Sequence, residues 1–208
     1  MRFPLFPRLP GALRTLWRAM SFPALMVTSL AVSACGDDNS FLSPAFVENV
    51  DRQYEVWAIT GTPAALPSGY QFTTESLVRP QVLSGGQLNF DVAFDITADG
   101  RVLVLPARLV VPLPPGGAPP IGVQRWQAAY EQLQRAPDRG YVVDSVSTLA
   151  VGETISIQLT SSGCSFGEPF YAKLTIDEID VAQRRMLVRS LVNRNCGYRA
   201  LTVGLPTD

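Results

Sequence analysis

The sequence predicts an all-β fold, an antiparallel β-sandwich or partly closed barrel with one short helix and one disulfide. Three observations predict it. Gly, Pro, Asp and Asn interrupt apolar alternations every ten or so residues, the spacing of short strands joined by turns. Leu88–Val111 carries the clearest alternation on both sides of Asp99-Gly100. Two cysteines, Cys164 and Cys196, lie equally far from Asp180 in a segment that reads as a hairpin.

Gln53–Thr60 reads as the first strand, ended by Gly61 and Pro63. Tyr70–Thr74 and Leu77–Leu83 are shorter candidates, and Pro80 pushes the second toward a sheet edge. In the next hairpin Leu88, Phe90, Val92, Phe94 and Ile96 share one parity, and Asn89, Asp91, Asp95 and Thr97 the other. Asp99-Gly100 suits a two-residue type I′ loop, whose central residues need positive φ. That loop sets Ala98 opposite Arg101, Ile96 opposite Leu103, Phe94 opposite Leu105, Val92 opposite Ala107 and Phe90 opposite Leu109. It also places Asp91 across from Arg108 as an ion pair on the outer face.

Pro112–Gly122 (PLPPGGAPPIG) reads as a loop that cannot enter a sheet interior. Val123, Trp126, Tyr130 and Leu133 then recur at helical spacing until Pro137 and Gly140. They predict a short amphipathic helix over the sheet, with Trp126 and Tyr130 packed on the core or, alternatively, lining a ligand groove. Thr154–Thr160 turns Ile155, Ile157 and Leu159 inward. Phe170, Ala172, Leu174 and Ile176 form one further apolar parity, and Met186, Val188 and Val192 another, around a polar turn at Asp177–Arg185. Tyr198–Val203 is a candidate last strand. Folding a hairpin about Asp180 brings Cys164 and Cys196 together at its open end.

The first 34 residues differ from the rest. Arg2, Arg8, Arg14 and Arg18 supply positive charge, and no acidic residue precedes Asp37. Ala19–Ala34 is uncharged and its 16 residues fall short of the roughly 20 that a membrane-spanning helix needs. A basic region, an apolar region and small residues form the pattern of a secretory signal. Val32-Ser33-Ala34-Cys35 resembles the lipobox of bacterial lipoproteins. The resemblance implies diacylglyceryl transfer to the Cys35 sulfur, cleavage after Ala34 and acylation of the new amino terminus. Gly36 in second place implies transfer to the outer membrane. The expected organisation is a signal at 1–34, a lipidated Cys35 with a tether to Ala45, and a β-domain over 46–208. An extracytoplasmic setting is oxidising, which independently favours the Cys164–Cys196 bond.

Removing the signal leaves 13 basic against 18 acidic residues, a net charge of −5, so nucleic acid is not an expected partner. The expected partners are the membrane, through the lipid, and a protein or glycan of the envelope. The chain has no histidine, which removes Ser-His and Cys-His nucleophile systems and most zinc sites. Gly163-Cys164-Ser165-Phe166-Gly167 matches G-x-S-x-G by letter, but no histidine base exists to serve it. Lys173, the only lysine, falls on a polar parity and is expected in solvent. On ligand count Asp177, Glu178 and Asp180 are the calcium candidates, opposed by the neighbouring Arg184 and Arg185. No catalytic residue and no cofactor is expected. The classes left open are a non-catalytic binding or assembly module, a carrier of an apolar ligand, and a carboxylate-based envelope hydrolase.

Overall fold

A computed structural model describes residues 42–112, 118–160 and 163–207, all within one compact unit, Gly36–Asp208. Cys35, the residues before it and 36–41 of the tether lie outside the described residues, as do 113–117 of the Pro- and Gly-rich loop.

Eleven strands are described: β1 Asp51–Trp57, β2 Gly69–Gln71, β3 Ser76–Val78, β4 Val92–Ile96, β5 Val102–Pro106, β6 Ile121–Trp126, β7 Val142–Val143, β8 Ser147–Leu149, β9 Thr154–Thr160, β10 Pro169–Asp180 and β11 Arg185–Asn193. They form two open antiparallel sheets, one ordered β1-β11-β10-β9-β6-β7 and the other β3-β2-β4-β5-β8. The main core lies between them. Val56, Ile155, Ile157, Leu174, Ile176 and Val188 of the larger sheet meet Tyr70, Phe94, Val102, Val104 and Leu149 of the smaller. The inward parities of β9, β10 and β11 are those expected: one parity is apolar through β9 and through β10 as far as Ile176, and in β11 Met186, Val188 and Val192 turn inward together with Ser190, whose hydroxyl donates to the Tyr70 hydroxyl at 3.1 Å.

The β4–β5 hairpin forms, but one residue out of the expected register. Phe94 faces Val104 and Ile96 faces Val102. Gly100, at φ +77°, donates its N–H to Thr97 O at 3.0 Å, and Thr97 N–H bonds Arg101 O at 2.8 Å. The loop is therefore Ala98-Asp99-Gly100, a turn closed by a left-handed glycine, rather than two residues. The extra residue turns Val102, Val104 and Pro106 inward and leaves Leu103 and Leu105 half-buried on the other side. There Phe90, Ala93 and Ala107 make a second apolar layer with Leu105. The one described α-helix, α1 (Ala107–Val110), belongs to that layer.

The slip also undoes the expected Asp91–Arg108 pair. Arg108 pairs with Asp144 at 2.9 Å, and the half-buried Asp91 carboxylate accepts the Phe72 N–H at 2.7 Å. Burial pushes the Asp91 carboxyl up to about 6, against that hydrogen bond, which favours the anion. A folded-state pKa above the unfolded value gives stability below about pH 4 that is lost as pH rises through about 6. Asp91→Asn keeps an oxygen acceptor and removes the charge. It is expected to raise stability at pH 7.5 by about 1–3 kcal/mol and to leave it unchanged near pH 3.5. Denaturant unfolding of both proteins across that range is the check, and an equal difference at both ends would contradict it.

The expected helix over Val123–Leu133 is a strand followed by a turn. β6 pairs with β9 on one side and β7 on the other, so Val123 points into the core while Trp126 lies on the opposite face. The apolar spacing of 123, 126, 130 and 133 spans both faces of a strand and a 3₁₀ turn at Tyr130–Gln132. The expectation that this segment covers the sheet does hold: Tyr130, Leu133 and Ala136 pack with Tyr171, Leu191 and Leu201 on the sheet's outer face. Gly122 is required beneath this strap, since a Cβ there would come within 2.9 Å of Tyr141 Cβ. Tyr198–Val203 is not a strand. It crosses that face through single bridges, Ala200 to Arg135 and Gly204 to Asn49.

Candidate functional site

The ends of β9, β10 and β11 converge where Cys164 and Cys196, 32 positions apart in sequence, are bonded with Cα atoms 5.6 Å apart. Beside the disulfide lies a cavity of about 230 Å³, walled by Leu42, Phe46, Phe166, Phe170 and Cys196 and edged by Arg194 and Glu168. Phe46 is 82% exposed and Phe166 86% exposed, so two aromatic rings stand in solvent at its mouth.

Asparagines hold the entering chain against this end. Asn195, buried, accepts the N–H groups of Phe46 (2.9 Å) and Val47 (3.0 Å) on its Oδ1 and donates to Val47 O at 2.8 Å. Asn49 donates to Ala200 O at 3.0 Å and Thr202 O at 3.1 Å, and Asn193 donates to Tyr198 O and Ala200 O. These three side chains replace the ladder bonds that the irregular termini lack. Sequence reasoning passed over all three; the Asn-x-Asn-Cys run at 193–196 is a signal for two of them, and Asn49 has none. Arg194 is turned to Glu75 (3.0 Å) and Thr73 O (3.1 Å), and the Glu168 carboxylate accepts the Phe166 N–H at 3.1 Å.

Gly163–Gly167 makes a turn, with Gly167 N–H on Cys164 O, and Cys164 is committed to the disulfide. The chain then enters β10 directly, so the strand-turn-helix setting of a hydrolase nucleophile is not what surrounds Ser165. The calcium candidates are taken up by arginines. Asp177 meets Arg189 at 3.2 Å and Gln53 at 2.8 Å, while Glu178 and Asp180 lie 3.2 and 3.9 Å from Arg185. Arg184 instead binds Asp95 at 2.6 Å. Among the described residues no group of three or more acidic or sulfur side chains could hold a metal ion.

Lys173 is not in solvent. It is 5% exposed, lies between Ser156 and Leu191 on the outer face, and donates to Tyr130 O at 3.2 Å and Leu133 O at 3.0 Å. Burial lowers its pKa, opposed by Asp51 and Glu131 and assisted by Arg189. Its ammonium stands 4.3 Å from the Tyr130 ring centre, the Arg189 guanidinium 4.5 Å from it, and the Tyr130 hydroxyl donates to Asp51 at 2.9 Å. The cluster is occupied in fastening the strap. Ser156, its cross-strand neighbour, is hydrogen-bonded to the Tyr141 hydroxyl at 2.8 Å.

No known protein family, curated protein or solved structure matches the chain.

Proposed function

We propose that the protein is a lipid-anchored, non-catalytic binding or assembly module of the cell envelope, working through its disulfide end. The observation that carries this reading is the cavity beside Cys164–Cys196. Its wall includes Leu42, only seven positions after the lipobox cysteine, so anchor and cavity adjoin along the chain. Its lining suits a small amphipathic ligand, with apolar surface on Leu42, Phe166 and Phe170 and polar groups at Ser43, Ser165 and Arg194. A carrier that stored its ligand between the sheets is less well supported, because Phe72, Phe94, Ile155, Ile157 and Leu174 fill that layer.

Two measurements test the reading. Fatty-acid labelling in cells is expected to mark the protein and to vanish in Cys35→Ser; labelling that survives would place the anchor elsewhere. Protein extracted in mild detergent is expected to carry an amphipathic molecule in native mass spectra, displaced by Ser165→Trp at the cavity mouth. Identical spectra from both proteins would remove the cavity as the binding site.

A further inference from the structure

We propose that the disulfide end rests on the lipid surface, with Phe46 and Phe166 inserted at headgroup level, so that the cavity opens onto the bilayer. The inference rests on the lipid-anchor reading and names what the exposed rim meets.

The two most exposed large apolar side chains among the described residues, Phe46 and Phe166, both stand at this end. Besides Phe46 and Phe166, Val203 is 69% and Leu205 52% exposed. They belong to the same surface, because the Asn49–Gly204 bridge ties the C-terminal segment to the entering chain three residues beyond Phe46. Exposed apolar groups gathered in one place mark a surface that is covered in use. The chain itself indicates the cover. Seven residue steps separate Cys35 from Leu42, and at full extension they reach about 25 Å. A lipidated Cys35 therefore keeps this end, and not the opposite one, within about 25 Å of the acyl chains.

The opposite end is far away. Gly100 in the β4–β5 turn lies against Val181 in the β10–β11 turn, and the 12 residues of β10 separate Val181 from the disulfide. At about 3.3 Å per residue that strand is roughly 40 Å long. Anchoring also converts docking into an intramolecular event, so two aromatic rings can hold an orientation that they could not establish from solution. Arg194 and Glu168 beside the cavity carry opposite charges.

The test uses the acylated protein in phosphatidylethanolamine–phosphatidylglycerol vesicles. Phe166→Trp or Phe46→Trp is introduced singly, with Val181→Trp as the far-end control, and emission is read against the parent protein. Both positions are exposed, so folding is not at stake. The added indole at 166 or 46 is expected to shift to the blue and to lose emission to lipids brominated near the headgroup, whereas the one at 181 does neither. Equal quenching at 166 and 181 in protein that floats with the vesicles and carries its lipid by mass would overturn the docking and leave the anchor intact. Protein that carries no acyl group and does not float would overturn both.

Discussion

Replacing Lys173 with Met is expected to destabilise the protein by about 1–3 kcal/mol, the cost of leaving the buried Leu133 carbonyl without its donor. The Tyr130 carbonyl keeps the Leu133 N–H at 3.2 Å, whereas the Leu133 carbonyl at the end of the 3₁₀ turn has the Lys173 ammonium as its donor. Two effects oppose each other. Burying a cation costs free energy, as the lowered Lys173 pKa records, so an apolar replacement recovers part of that cost. Methionine has a similar length and can fill the same space, yet it cannot donate to the Leu133 carbonyl, which stays in place whatever stands at 173. The unmet acceptor therefore prevails. Tyr130 also loses one of the two cations on its ring while keeping Arg189 and its bond to Asp51. The damage should be local as well as global. Amide exchange across Ala129–Tyr141 is expected to accelerate far more than exchange in β9 or β11. A variant with unchanged denaturant midpoint and unchanged strap protection would show that Lys173 is incidental to the covering of that face.

The same residue shows where the sequence stopped being legible. Lys173 was placed in solvent because its parity in β10 is polar, and alternation does identify the outer face correctly. What alternation cannot show is that a distant segment folds over that face. Tyr171, Lys173 and Thr175 are all buried on the side away from the main core. The β4–β5 register failed for a related reason. Both parities of Val102-Leu103-Val104-Leu105 are apolar and both faces of that sheet are covered, so hydrophobic pattern could not choose, and the turn decided. β9 and β10 were readable because Ser156, Gln158, Lys173 and Thr175 oppose a clean apolar row. In the candidate site, the cysteines were legible by spacing. The cavity was not, since Leu42, Phe166 and Arg194 come from three segments that only the folded termini bring together.

Removing the disulfide, as Cys164→Ser with Cys196→Ser, is expected to cost about 3–4 kcal/mol through the freedom returned to the unfolded chain. The closed loop runs from the end of β9 through β10 and β11, and so contains the longest hairpin of the larger sheet. Those strands are held by their own ladder and by Ala172, Leu174, Ile176 and Val188 in the core, so the sheet should survive the loss in outline. Two signatures separate this entropic effect from simple damage to packing. An open unfolded chain exposes more surface, so the denaturant slope should rise as the midpoint falls. Wild-type protein unfolded under reductant should also match the serine pair, because both then share one unfolded state. The folded protein should change chiefly at the disulfide end, where the turn carrying Phe166 loses its tie to Cys196 beside Asn195. Equal midpoints for the oxidised protein and the serine pair would mean that the ladder alone fixes this end, and that the bond between the sulfurs adds nothing to the cavity it borders.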